Sequence, residues 1–216
     1  MGFTFTTADY ADYLQRAAAR IAAQKDYVSA LDAATGDGDH WANLNLGFGA
    51  LLEQADALRG LGFSAMFRKI GMTLMSRVGG SSGILYGGGY QAAGRAMPEG
   101  SEATLPQLAE ALSAMLADMM KRGQAQPGFK TMIDALHPAV GALKEALESG
   151  EGPEGALSAM RRAALAGAEA TRGMEAVKGR ASYQADKGVG HLDPGAVTMA
   201  WQLDELGAAL LGKGAA

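Results

Sequence analysis

Apolar residues return at three- and four-residue spacing along almost the whole chain, and nowhere does the alternation of a half-buried strand persist. That periodicity restricts the fold to packed helices. Eight segments carry it. Thr6 or Thr7 caps a first helix to about Val28, with Leu14, Ala18 and Ile21 on one face. The second runs from His40 to Arg59, closed by Gly60 and Gly62, and the third from Ser64 to Val78. The fourth follows Gly79-Gly80 and ends before Pro98; the fifth spans Leu105 to Arg122 and stops at Gly123. Thr131 to Glu148 is the sixth, with Pro138 inside it as a kink or early break. Gly155 to Met174 is the seventh, and Asp193-Pro194, a cap followed by a first-turn proline, opens the eighth, to Leu211. The expectation is an all-α bundle of about eight antiparallel helices forming one domain over residues 1–216.

The helices leave an excess of glycine to be explained. There are 31 in 216 residues, about twice the usual share, with only 6 prolines and no three-residue repeat, which excludes collagen. Nineteen basic against 23 acidic residues give a net charge of −4, without the basic surface that nucleic-acid binding requires. With no cysteine, disulfides, thiol nucleophiles and thiolate metal sites are excluded. The opening residues lack the basic-then-apolar order of a signal peptide, and no run approaches the roughly 18 apolar residues of a membrane span. A cytoplasmic protein with no membrane and no nucleic-acid partner is the expectation.

Three connections are more than plain turns: Asp32 to Asp39, Gly79 to Gly89, and Glu175 to Gly195. If successive helices run up and down, all three lie at the same end of the bundle, where one ligand can touch them all. The first holds Asp32, Asp37 and Asp39 interleaved with Gly36 and Gly38. Crowded carboxylates require a compensating cation or donors, and an all-oxygen set suits Mg²⁺ or Ca²⁺; the alternative is a solvated turn with one aspartate capping the next helix. The second, Gly79-Gly-Ser-Ser-Gly83, brings backbone N–H groups and two hydroxyls to a helix start, a place for an anion; the alternative is glycine for close helix packing. It is not a Walker A loop. The third carries Lys178, Arg180 and Lys187, and Arg180 offers a guanidinium fork to a phosphate; the alternative is a solvated connector. Acidic ligands, an anion loop and an arginine at one rim form a set suited to phosphoryl transfer.

The strings Leu31-Asp-Ala-Ala-Thr-Gly-Asp-Gly-Asp-His40, Gly79-Gly-Ser-Ser-Gly-Ile-Leu-Tyr86, Lys130-Thr-Met-Ile-Asp-Ala-Leu136, Lys178-Gly-Arg-Ala-Ser-Tyr183 and Asp193-Pro-Gly195 together resemble the nucleotide-binding L subunit of dihydroxyacetone kinase, in order and over nearly the whole chain. The resemblance implies a barrel of eight antiparallel helices with ADP or ATP in its mouth. It implies that Asp32, Asp37 and Asp39 ligate two Mg²⁺ ions, that His40 and Asn43 contact the nucleotide, and that Ser81, Ser82 and Gly83 cradle phosphate oxygens. Gly123, Thr131 and Met132 match positions lining an adenine pocket, Arg180 one contacting phosphate as the catalytic cation, and Asp193, Pro194 and Gly195 ones bordering the nucleoside. Two departures stand out: Trp41 replaces the glycine usual after the motif's histidine, and the glycine-rich string extends through Gly87-Gly-Gly89. The implied activity is transfer of a phosphoryl group to dihydroxyacetone on a separate K-type subunit. ADP would then be a coenzyme recharged by a phosphotransferase-system protein. A subunit exchanging ATP freely, acting on another short ketose or polyol, and a nucleotide-sensing adaptor are the alternatives.

Overall fold

The computed structural model describes residues 2–212; Met1 and residues 213–216, which the expected domain also included, lie outside the described residues. The elements are β1 (Thr4–Thr6), α1 (Thr7–Ala23), α2 (Lys25–Thr35), α3 (His40–Leu52), α4 (Ala55–Arg59), α5 (Phe63–Arg77), α6 (Gly80–Ala96), β2 (Glu102–Thr104), α7 (Leu105–Gly123), α8 (Ile133–Glu148), α9 (Pro153–Ala170) and α10 (Pro194–Gly212), with 3₁₀ turns at Thr171–Gly173 and Arg180–Tyr183. Eight helices pack in a closed ring, α1 on α3, α3 on α5, and on through α6, α7, α8, α9 and α10 back to α1. This is the expected barrel.

The chain departs from the expected segments in instructive places. The first periodic segment is two helices, because the backbone leaves the helical region at Gln24 (φ −111°, ψ 30°). The second also divides, at Glu53–Gln54, into α3 and α4. Neither break has a glycine or proline to announce it. A pair of three-residue antiparallel strands, with Phe5 opposite Ala103, was not expected. It is too short to show alternation, and it closes the end where α1 and α7 begin. Capping boxes at Thr6–Asp9 and Thr104–Gln107 follow directly from the strands, fixing both helix starts. Helix α8 does not stop at Pro138. The proline lacks the N–H that would bond the Asp134 carbonyl, and Gly167 of α9 packs against that carbonyl and the proline ring, so the gap is filled by a neighbouring helix.

One apolar cluster runs through all eight barrel helices. Near the β1–β2 end it is aromatic, with Phe5 edge-on to Phe63 (5.1 Å between centroids) and Tyr10 against Phe67 (4.7 Å). Among the described residues, no helix is long and apolar enough to cross a membrane. The helix ends opposite the β-pair, where α3, α6, α8 and α10 begin and α7 ends, surround an open cavity.

Candidate nucleotide and metal site

A cavity of about 430 Å³ occupies this mouth. Its wall takes residues from all three singled-out connections, as the up-and-down argument required. Four helix N-termini face it, each presenting N–H groups that lack intrahelical partners and the positive end of a helix dipole.

The carboxylates come first along the chain. Asp32 is not in a loop, as expected, but in the last turn of α2, buried, with Oδ2 accepting the His40 N–H at 2.9 Å. Asp32 therefore serves the start of α3, whereas Asp39, at the cap position, makes no side-chain capping bond. Gly36 permits this: a Cβ there would collide with Asp32 Oδ1. Gly38 turns the chain with φ +79°. One oxygen from each of Asp32, Asp37 and Asp39 falls within 4.8 Å of the others. Asp37 is half-exposed and pairs with Arg180 Nη1 at 2.6 Å, so the arginine is within reach of the carboxylates as well as the cavity.

Gly79, Gly80, Ser81 and Ser82 also line the cavity, where α6 starts without a side-chain cap. The expected glycine loop is shorter than the string suggested: the helix begins at Gly80, and Gly87, Gly88 and Gly89 are buried in its interior. Gly83 also departs from expectation. It does not line the cavity; its Cα faces back onto α5, where a Cβ would strike the Val78 carbonyl. Asn43 lines the cavity with its side chain against Gly79.

His40 lines the cavity too, with Nε2 2.9 Å from Thr198 Oγ1. Burial lowers its pKa, against the opposing pull of Asp32 and Asp39. Trp41 is not in the wall; its indole N–H donates to the Ile21 carbonyl at 2.8 Å, tying α3 to the end of α1.

Gly123, Thr131, Met132, Pro194 and Gly195 line the remaining side, joined by Leu85, Met119, Ala125 and Ile133. That side is apolar enough for a flat ring. The turn before α8 is held by buried Asp134, which accepts from Gly128 N at 2.5 Å and Thr131 N at 2.7 Å. Asp193 caps α10 through Ala196 N (2.7 Å), and burial raises its pKa to about 7. Every expected site residue except Gly83 thus reaches one cavity. Sequence reasoning assigned no role to Lys130, Thr35 or the four additional apolar residues. Lys130 stood in a quoted string; an apolar residue on a helix gives no local sign of whether it faces a ligand or the core.

An all-helical barrel with acidic and anion-accepting groups at one rim defines a class of nucleotide-handling domain, and the DAK2 domain family model matches residues 34–208. The chain belongs to the DAK2 domain family. It is 34% identical over 195 residues to the PEP-dependent dihydroxyacetone kinase, ADP-binding subunit DhaL of Escherichia coli, covering 90% of this chain and 93% of that one. Identity is 36% to a Listeria innocua counterpart, the PEP-dependent dihydroxyacetone kinase 2, ADP-binding subunit DhaL, with 91% of each chain covered. The dihydroxyacetone kinase of C. freundii in complex with AMP-PNP and Mg²⁺ superposes with a TM-score of 0.72 at 28% identity, over 96% of this chain and 35% of that one. The chain therefore spans about a third of that kinase, as it does of the human triokinase/FMN cyclase, to which it is 35% identical.

Proposed function

We propose that this chain is the ADP-binding subunit of a dihydroxyacetone kinase, a phosphotransferase passing a phosphoryl group from Mg-nucleotide to dihydroxyacetone on a separate K-type subunit. The reading is carried by one observation: three carboxylates, an uncapped glycine-serine helix start, an arginine and an apolar slot converge on a single cavity. The relatives matched over nearly their whole length are ADP-binding subunits dependent on PEP or the phosphotransferase system. The single-chain kinases are matched over about a third. That pattern favours ADP as a resident coenzyme, recharged by a phosphotransferase-system protein, over free exchange with ATP.

The donor set fits magnesium: all-oxygen, anionic, clustered within 4.8 Å and open on the cavity side. Asp32, Asp37 and Asp39 would hold two Mg²⁺ ions, which supply charge neutralisation at the phosphate oxygens. The protein's own groups do the positioning. Ser81 and Ser82, at the positive end of α6, accept the phosphate chain, and His40 and Asn43 flank it from the start of α3. Arg180, exchanging its bond to Asp37 for a phosphate oxygen, balances charge on the transferred group. Gly123, Thr131 and Met132 receive the base, and Asp193, Pro194 and Gly195 border the nucleoside. This chain needs no substrate base, because the acceptor hydroxyl belongs to the partner. We place the whole of residues 1–216 in one domain acting in the cytoplasm.

The test is purification followed by exhaustive dialysis against Mg²⁺. Retained stoichiometric ADP, and dihydroxyacetone phosphorylation only when a K-type subunit and a phosphotransferase-system donor are both supplied, is the expected result. Turnover with ATP alone would favour the exchanging kinase, and nucleotide binding without turnover under any donor would make the chain an adaptor.

A further inference from the structure

Two lysines in the cavity wall, Lys130 and Lys178, have no part in the contacts assigned above, and of these Lys130 is the buried one. Lys130 lies between α7 and α8 and is only 2% exposed. Its φ of +60° is in the left-handed region that lysine seldom adopts, a conformation that persists only where surrounding contacts hold it. Those contacts are distant in sequence. Its Nζ donates to the carbonyls of Thr171 and His191, each at 2.6 Å. Burial lowers its pKa, opposed by Asp193 and Asp186.

The two carbonyls mark the two ends of one excursion. Between them the chain leaves the barrel, carries Lys178 and Arg180 to the cavity, and returns to α10. Apart from the 3₁₀ turns at Thr171–Gly173 and Arg180–Tyr183 it has no regular structure; it is held by Val177 N to Phe129 O (3.2 Å), Gly190 N to Arg172 O (2.8 Å) and Gln184 Nε2 to Ala34 O (3.0 Å). The lysine stem also supports it from beneath. At Gly188, φ +68°, a Cβ would sit 3.2 Å from Lys130 Cε and 3.3 Å from the Cβ of Ala181, the neighbour of Arg180.

We infer that Lys130 is a positioning residue: it joins the two ends of the 171–191 excursion and, through Gly188 and Ala181, sets where Arg180 stands at the phosphate end of the cavity. Without the ammonium, the His191 carbonyl loses this donor and the Thr171 carbonyl keeps only the Met174 N–H (3.1 Å), so this side-chain link between the two ends is lost and the excursion is held less firmly. The inference rests on the proposed function only in taking Arg180 to face phosphate.

The test uses the full chain and two readouts. In nucleotide-free protein, Lys130→Met, which keeps the stem and removes the charge, should speed amide exchange across 174–190 and leave α5 and α6 unchanged. Unchanged exchange at 174–190 would overturn the inference whatever the ligand. With Mg-ADP, Lys130→Met should release nucleotide about tenfold faster, and Arg180→Ala should then add much less than it does in the wild-type background. Strict additivity of the two substitutions would reduce Lys130 to a general stabiliser and overturn the inference. Should Lys130→Met fail to fold, Gly188→Ala, which crowds the same junction from the loop side, should show the same faster release and the same coupling to Arg180; a normal release rate there overturns it. A wild-type protein that binds no Mg-ADP would instead refute the proposed function.

Discussion

The first residue of α6 and the stretch just behind it use glycine for opposite purposes. At the mouth, Gly80 takes φ +65° and has nothing within 4 Å of where a Cβ would stand; its use is conformational, turning the chain so that the first N–H groups of the helix open on the cavity. One turn further, Gly83 lies against the Val78 carbonyl, Gly87 against Met75 and the Gly71 carbonyl, Gly88 against Arg122 and Asp118, and Gly89 against Met115 and Met119. There glycine is a spacer that lets α5 and α7 approach on either side. The lesson is that a glycine-rich string does not define a loop. The boundary between cavity and packing falls at Gly83, inside the motif itself.

Four substitutions test that boundary. The largest effect is expected at Gly83→Ala, where backbone has to move: a loss of roughly 3 kcal/mol, or about 6–12 °C in Tm, by thermal denaturation. Its Mg-ADP affinity, measured on protein that folds, should change far less. Lost affinity at unchanged Tm would move Gly83 to the mouth and break the comparison. Next is Asp37→Ala, which should weaken Mg-dependent ADP binding roughly 100-fold by calorimetry while leaving the helical circular dichroism intact; undiminished affinity would remove Asp37 from the ligand set.

The third concerns a strain that the packed seam lacks. The Asp193 carboxyl is raised from 3.8 to about 7 by burial, so the folded state holds a proton that the unfolded chain has released. Its contribution to stability is therefore lost as pH rises from about 4 to about 7, and the loss is complete above that. Asp193→Asn keeps an acceptor for the Ala196 N–H and removes the titration. It should flatten the pH dependence of nucleotide-free Tm in that window and raise Tm at pH 8 by roughly 5 °C. An unchanged profile would show that the carboxylate is already compensated. The smallest effect is Gly80→Ala, about 1 kcal/mol of stability from the left-handed backbone. A measurable fall in Mg-ADP affinity alongside it is the mark of the mouth; a purely structural cost would align Gly80 with the seam.

Much of the barrel was legible from local pattern. The eight periodic segments correspond to the eight helices of the ring, and Thr6 and Asp193 sit at the starts they predicted. The breaks at Gln24 and Glu53–Gln54 were not, because an ordinary polar residue can end a helix wherever the next stretch packs better in a new direction. Pro138 does not break its helix, for the converse reason: the Asp134 carbonyl it leaves unbonded meets Gly167, 33 residues further along the chain but adjacent in the barrel. In the site, Asp32, Asp37, Asp39, Ser81, Ser82 and Arg180 were recognisable because charge and hydroxyl chemistry is costly to cluster without use. Lys130 was not, since nothing near it in sequence reveals that its partners are the Thr171 and His191 carbonyls.

What the sequence by itself determined was the helical class, the positions of most caps, and the gathering of three unusual connections at one end. Each of these follows from spacing and backbone preference within a few residues. Only the tertiary structure decided which glycines face the cavity and which a helix, that Asp32 joins its group from inside α2, and that a buried lysine bonds both ends of the arginine-bearing excursion. Several of those outcomes depend on contacts between residues tens of positions apart, as Lys130 with Thr171 and His191 or Gly88 with Arg122, and local periodicity carries no information about which surface will close on which.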